Sequence, residues 1–169
     1  EKPLHLEVAA TLLVSEYFHQ TGTEIVQLMT RNMPRELFSA MAERCRVGLF
    51  TDVDKTTIFP EYLHLRDTPE CAGTCAGSCS ITCTGDGRKY DSLAGVGGVR
   101  GTCVDDNYMC TPKDPYGKTD NILVHEFAHT IHQYALPYVP GDWWNRIYYA
   151  WQNARNQRIW DVNSYAMYD

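Results

Sequence analysis

The chain has 169 residues, of which 44% are hydrophobic, and its formal net charge is −6. This length and apolar fraction suit one globular domain, so we expect residues 1–169 to form a single domain. The acidic balance and the lack of a run of Lys and Arg argue against nucleic acid as a partner. The apolar stretches are too short to cross a bilayer, so we expect no membrane span.

The first third of the chain predicts two helices and a strand. Residues 6–30 are compatible with a helix, with Gly22 as a point where it can break. Pro34 suits the first turn of a short helix that runs to about Arg44. The apolar segment 46–51 that follows predicts a short strand.

Residues 52–119 are rich in Gly, Pro, Asp, Thr and Cys, and they predict a long irregular region with one or two strands. Four cysteines recur at every fourth position of CAGTCAGSCSITC, residues 71–83, between small residues that cannot build a core. We interpret residues 71–110 as a Cys-rich insertion held by disulfides. Such cysteine use is typical of an oxidising compartment and predicts a secreted, extracellular protein. A second metal or iron–sulfur site is disfavoured, because the spacing fits none of the usual cysteine patterns.

Disulfide pairing does not follow from the sequence. Cys103 and Cys110 bracket a short loop and can pair with each other or with the cysteines of residues 71–83. Because the number of cysteines is odd, at least one thiol is free or pairs outside this sequence. The disulfide candidates are Cys45, Cys71, Cys75, Cys79, Cys83, Cys103 and Cys110.

The last third of the chain predicts two further helices. One begins at Asp120 or Asn121, either of which can cap it, and ends near Pro137, which cannot continue it. The other is predicted from about residue 142 to residue 158. The expected fold class is α+β, with a small sheet and a helix-rich C-terminal half.

The final predicted helix carries apolar residues on one face, namely Trp143, Ile147, Trp151 (or Ala150) and Ala154. Core packing is the ordinary role of such a face. A peptide-binding groove lined by Trp143 or Tyr148 is the alternative.

The strongest chemical signal is the pattern His-Glu-x-x-His. On a helix, His125 and His129 lie one turn apart on the same face, so both imidazoles can reach one Zn²⁺ ion. Glu126 lies beside the metal and can take a proton from water as a general base. This pattern predicts a zinc metallopeptidase that uses a metal-activated water against protein or peptide substrates.

A third protein ligand is less evident. His132 shares the face of His129, but it lies about 10 Å from His125 along the helix axis. We therefore expect His132 to contact a ligand residue or the substrate rather than the metal. Asp161 is a weaker candidate ligand, because it follows a bulky apolar pair. The acids after Glu126 are Asp142, Asp161 and Asp169.

The stretch DPYGKTDNILVHEFAHTIHQ, residues 114–133, precedes a Trp/Tyr-rich helix and the segment NSYAMYD, residues 163–169. Together they resemble the zinc metallopeptidases related to the catalytic domain of anthrax lethal factor. The likeness covers about residues 114–169, is fainter over residues 34–60 and includes the Gly-rich segment 95–101. The Cys-rich residues 71–83 have no counterpart that we can name.

The resemblance implies a zincin-like fold in which His125 and His129 bind zinc and Glu126 is the base. It also implies that Tyr165 stabilises the oxyanion formed during hydrolysis. The family's third ligand is a Glu whose position would lie three residues past Asp169. The resemblance therefore implies a chain that is incomplete at its C-terminus.

Three explanations of that missing ligand stay open. The chain, which begins with Glu1 rather than Met, can be a fragment or a processed subunit whose partner chain supplies the Glu through a disulfide link. The sequence can simply stop early, or the ligand can have been lost. Loss would leave the alternative function, a non-catalytic Cys-rich structural or binding protein on a degenerate zincin scaffold.

Overall fold

The computed structural model describes residues 4–161 and combines helices with one small sheet, which confirms this part of the predicted fold class. Its strands form one sheet in the order β1-β2-β4-β3, in which β1, β2 and β4 are parallel and β3 is antiparallel to β4. The strands are β1, Glu7–Ala10; β2, Arg46–Phe50; β3, Gly95–Val96; and β4, Arg100–Val104. The helices are α1, Glu16–Thr30; α2, Arg35–Arg44; α3, Asp105–Tyr108; α4, Ile122–Tyr134; and α5, Trp143–Asn156.

The predicted helix over residues 6–30 is only partly right. Its first residues form β1, because they pair in parallel with β2, and a short apolar segment can adopt either structure. Helix α1 starts after Ser15, whose hydroxyl accepts a hydrogen bond from the N–H of Phe18. Gly22 does not break this helix. It lies where α1 packs on the sheet, and a Cβ there would stand 2.5 Å from a methyl carbon of Leu49.

The other predicted helices and the strand agree closely with the structure. Pro34 precedes α2, and β2 ends one residue before the predicted limit. Asn121 caps α4 through its side-chain oxygen, which accepts a hydrogen bond from the N–H of Val124 at 3.1 Å. Between β2 and α4 the chain forms β3, β4, α3 and several short 3₁₀ helices, so the irregular region with one or two strands is confirmed.

The core lies between the sheet and helices α1, α2 and α4. It is centred on side chains with no exposed surface, among them Met41 of α2, Val47 and Leu49 of β2, and Leu123 and Phe127 of α4. Helix α4 packs directly against β4. The apolar half of α4 is therefore anchored in the core, and its other half faces outward.

Two disulfides join the cysteines that recur at every fourth position, Cys71 to Cys79 and Cys75 to Cys83. Both lie within residues 71–83, whereas β3 and β4 occupy the later part of the range 71–110. The remaining cysteines, all within the described residues, carry free thiols, so neither pairing considered for Cys103 and Cys110 is formed. They are Cys45 and Cys103, which are buried, and Cys110, which is exposed.

Helix α5 buries little of its predicted apolar face. Trp143, Trp151 and Ala154 are half-buried, but Ile147 is exposed. Its main contacts in the described part of the chain are with the 3₁₀ turn Leu136–Tyr138 that precedes it. Among residues 4–161, no helix combines the length and apolar character that a bilayer crossing requires.

Candidate metal centre

The side chains of His125, Glu126 and His129 converge on the outer half of α4. The Nε2 atoms of the two histidines lie 3.1 Å apart, with ring centroids separated by 4.7 Å and ring planes inclined at 77°. One potential ligand atom from each of the three residues lies within 4.8 Å of the others. The helical spacing thus brings together the groups that the sequence pattern predicted.

This arrangement fits a zinc ion. Two nitrogens at about 2.0–2.1 Å from a tetrahedral zinc would be roughly 3.3 Å apart, close to the observed separation of the imidazole nitrogens. His125 is exposed and His129 is half-buried, so a metal held there would be open to substrate on one side. The group could hold a metal ion, and its nitrogen and oxygen atoms suit zinc among other divalent metals.

Glu126 lies on α4 next to the loop that joins β3 to β4. The side of α4 that carries His125, Glu126 and His129 is called its metal face below. Burial raises the pKa of its carboxyl group. The charge of His125, a hydrogen bond from the backbone N–H of Gly97 and the charge of Arg88 act in the opposite direction. The net effect is a raised pKa of the Glu126 carboxyl group.

The Gly-rich segment 95–101 allows this close approach. A Cβ at Gly97 would stand 2.6 Å from the Cβ of His129 and 3.0 Å from a carboxylate oxygen of Glu126. A Cβ at Gly101 would stand 2.8 Å from the hydroxyl oxygen of Thr130. Side chains at these positions would push α4 away from β4, so the glycines set the position of the metal face.

We expect Gly97→Ala to weaken zinc binding and to destabilise the fold by about 1–3 kcal/mol, the usual cost of overpacking. The added methyl group would displace His129 and Glu126 together. Zinc titration and urea unfolding of the variant measure the two effects. Gly85→Ala is the matched control, because a Cβ at Gly85 meets no atom within 4 Å. Unchanged zinc affinity in Gly97→Ala would contradict this role of the glycine.

Asn107 fixes the start of α4, and sequence reasoning missed it. This buried side chain donates hydrogen bonds to a carboxylate oxygen of Asp114 and to the carbonyl oxygen of Asp120, both at 2.9 Å. Its own oxygen accepts a hydrogen bond from the N–H of Ile122 at 2.7 Å. Asn107 thereby joins α3, which directly follows β4, to the first turn of α4. A single Asn in the segment DDNY gives no pattern from which this role could be predicted.

Among residues 4–161, none of the other predicted site residues belongs to the group of three. His132 stacks on Trp144 of α5, with ring centroids 4.4 Å apart, and its Nε2 finds no hydrogen-bond partner among the described residues. Burial lowers the pKa of this imidazole. Within residues 4–161, neither Asp142 nor Asp161 joins the histidines in a metal-binding group. Tyr165 and Asp169 lie outside the described residues.

A cleft runs beside the metal face of α4. One cavity of about 760 Å³ is lined by His125 and Glu126, together with Arg88 and Tyr116. A cavity of about 250 Å³ follows β3 as far as Gly97 and Glu126. A third, of about 470 Å³, lies at the carboxyl ends of β2 and β4. Arg88 and Tyr116 line all three cavities, which therefore form adjoining parts of one groove.

Comparison with protein-family models and with curated proteins gives no match to this chain. The described residues form a His-Glu-x-x-His group on a helix, open to a groove and able to hold a metal ion.

Proposed function

We propose that this protein is a zinc-dependent endopeptidase of the zincin type, similar to the group related to the catalytic domain of anthrax lethal factor. One observation carries the proposal: two imidazole nitrogens lie 3.1 Å apart beside a half-buried carboxylate, on a helix that lines a groove. A pair of solvated surface histidines would not need the adjoining carboxylate or a groove large enough for a peptide.

His125 and His129 would hold the metal. Bound there, Zn²⁺ supplies a Lewis acid that lowers the pKa of water and polarises a carbonyl group. Glu126 then accepts the proton of the attacking water, and the N–H of Gly97 keeps its carboxylate oriented. The protonated Glu126 can then pass that proton to the leaving amine as a general acid.

The proposal needs further groups from outside residues 4–161. The resemblance assigns oxyanion stabilisation to Tyr165, and it requires a third ligand, which we propose comes from beyond the described residues or from a second chain. Cys110 is the exposed thiol at which a disulfide to such a chain can form. We also propose that the protein is secreted, because the two disulfides of residues 71–83 are compatible with an oxidising compartment.

The test is zinc content together with cleavage of a generic protein substrate by the full chain. We expect one zinc per protein, and a chelator should remove both the metal and the activity. His129→Ala should bind zinc at least about 100-fold more weakly, because one of two imidazole ligands is lost. His64→Ala is the matched control, since His64 is exposed and lies outside the metal-binding group.

An intact preparation that binds no zinc would overturn the proposal. That result would favour the alternative, a non-catalytic Cys-rich binding protein on a degenerate zincin scaffold. Zinc binding without cleavage, together with a second chain released by reductant, would locate the missing ligand on that chain.

A further inference from the structure

Arg88 is the one cationic side chain that the three parts of the groove share, as far as residues 4–161 show. Arg88 and Glu126 both line two of these cavities. A peptide held in the groove with its scissile bond beside Glu126 would therefore also lie beside Arg88. The proposed chemistry makes no use of this group.

The disulfide-bonded segment holds Arg88 in this position. Its backbone pairs with Thr84 across a tight turn: the carbonyl oxygen of Arg88 accepts from the N–H of Thr84 at 2.8 Å, and the N–H of Arg88 donates to the Thr84 hydroxyl at 3.1 Å. Directly before Thr84, Cys83 is bonded to Cys75 and forms a β-bridge with Lys89. The disulfide between Cys75 and Cys83 thus restrains the residue that precedes the turn.

Lys89 anchors the same turn to the body of the protein. Its ammonium group donates to a carboxylate oxygen of Asp67 at 2.8 Å, and to the carbonyl oxygen of Cys71 and the hydroxyl of Thr82 at 2.7 Å each. Its side chain is only 16% exposed. A largely buried lysine that donates to three acceptors restricts the motion of the neighbouring backbone. Arg88, the preceding residue, therefore reaches the groove from a well-ordered segment.

The charge of Arg88 is available for a ligand. Its Nε donates to a carboxylate oxygen of Asp86 at 2.9 Å, but both side chains are 58% exposed, and water screens such pairs strongly. Within residues 4–161, Arg88 forms no ion pair with the other aspartates that line the groove, namely Asp52, Asp91, Asp106 and Asp120. A guanidinium binds a carboxylate through two parallel hydrogen bonds, which makes carboxylate the matching ligand.

We propose that Arg88 is a specificity residue that binds a substrate carboxylate close to the scissile bond, so that the enzyme prefers acidic peptides. This inference rests on the proposed peptidase function. The carboxylate can belong to an Asp or Glu side chain or to the C-terminus of the peptide. In either case the Cys-rich segment serves to place Arg88 at the substrate groove.

The test uses the zinc-loaded full chain and matched fluorogenic peptides. One pair differs only by Glu or Gln at positions flanking the cleaved bond, and each peptide is made with a free and an amidated C-terminus. We expect kcat/KM to be about tenfold or more higher for the Glu peptide, with the ratio falling towards one in Arg88→Gln. Arg88→Lys should keep part of the preference, and Arg88→Glu should reverse it towards a Lys-containing peptide.

Arg31→Gln is the matched control, because Arg31 is exposed at the end of α1 and lines none of the three groove cavities. A preference that follows the free C-terminus instead of the Glu side chain would identify the terminal carboxylate as the ligand. Equal cleavage of all four peptides by the unmodified protein would overturn the role of Arg88 and leave the peptidase proposal standing.

If the zinc-loaded chain cleaves no peptide and reductant releases no second chain, the proposed function fails, and Arg88 is then judged by peptide binding alone. Fluorescence anisotropy of the same peptides, with Glu126→Gln as well as the unmodified chain, measures this directly. Tighter binding of the Glu peptide that Arg88→Gln removes supports carboxylate recognition without catalysis. Equal binding of the Glu and Gln peptides rejects it.

Discussion

Glu126→Gln should lower kcat for peptide hydrolysis by about 10²–10⁴-fold, the range that general base catalysis contributes. Gln has nearly the same shape as Glu but cannot accept the proton of the attacking water. Both histidines remain in place, so the variant should still bind one zinc per chain. Steady-state kinetics and metal analysis of the same preparation measure the two quantities.

Glu24→Gln is the matched control for this substitution. Glu24 is an exposed residue of α1 whose carboxylate accepts a hydrogen bond from Gln20, and it does not belong to the metal-binding group. The Glu24→Gln substitution should leave both kcat and zinc content unchanged. If Glu126→Gln retained full activity with normal zinc content, Glu126 could not be the base.

Arg100→Met is expected to lower the free energy of unfolding by about 3 kcal/mol, the lower end of the range for removing one partner of a buried ion pair. The side chain of Arg100 is 7% exposed and donates two hydrogen bonds to Glu61, at 2.9 and 3.0 Å, and one to Glu7 at 2.7 Å. It also donates to the carbonyl oxygen of Val47 at 2.9 Å. Removal of the Arg100 guanidinium leaves the partly buried carboxylate of Glu61 without its cationic partner.

Arg46→Met is the matched control, because Arg46 lies opposite Arg100 in the sheet. Its guanidinium is 3.8 Å from a carboxylate oxygen of Glu7, and its side chain is 35% exposed, so its loss should cost no more than about 1 kcal/mol. Urea unfolding measures both variants. If both variants lost a similar amount of unfolding free energy, the ion pairs of Arg100 would contribute no more than an exposed surface pair.

The stability due to Arg100 should depend on pH in a defined direction. Burial raises the pKa of Glu61, but the hydrogen bonds and charge of Arg100 outweigh it, so the pKa lies below its ordinary value of 4.5. A lowered pKa in the folded state stabilises the protein above the unfolded pKa, and this contribution is lost as pH falls through the folded pKa. The difference in unfolding free energy between the unmodified protein and Arg100→Met should therefore be largest near neutral pH and shrink below about pH 4.

Local patterns predicted the parts of the protein that depend on local structure. The one-turn spacing of His125 and His129 on an apolar helix predicted the metal-binding group, since helical geometry alone puts both side chains on one face. Caps and breakers predicted α2 and α4 to within a few residues. The small residues between the cysteines predicted a disulfide-bonded segment, although not which sulfurs are joined.

Contacts between distant parts of the chain decided the rest. Residues 7–10 form a strand because β2, nearly forty residues later, offers backbone partners, and no local signal separates this strand from a helix. Gly97 meets Glu126, and Arg88 enters the same groove, only because the sheet and two disulfides bring these segments to the helix. The sequence by itself determined which groups can bind a metal and activate water. The tertiary structure determined which neighbours tune and surround them, because burial, hydrogen bonds and charge act through space rather than along the chain.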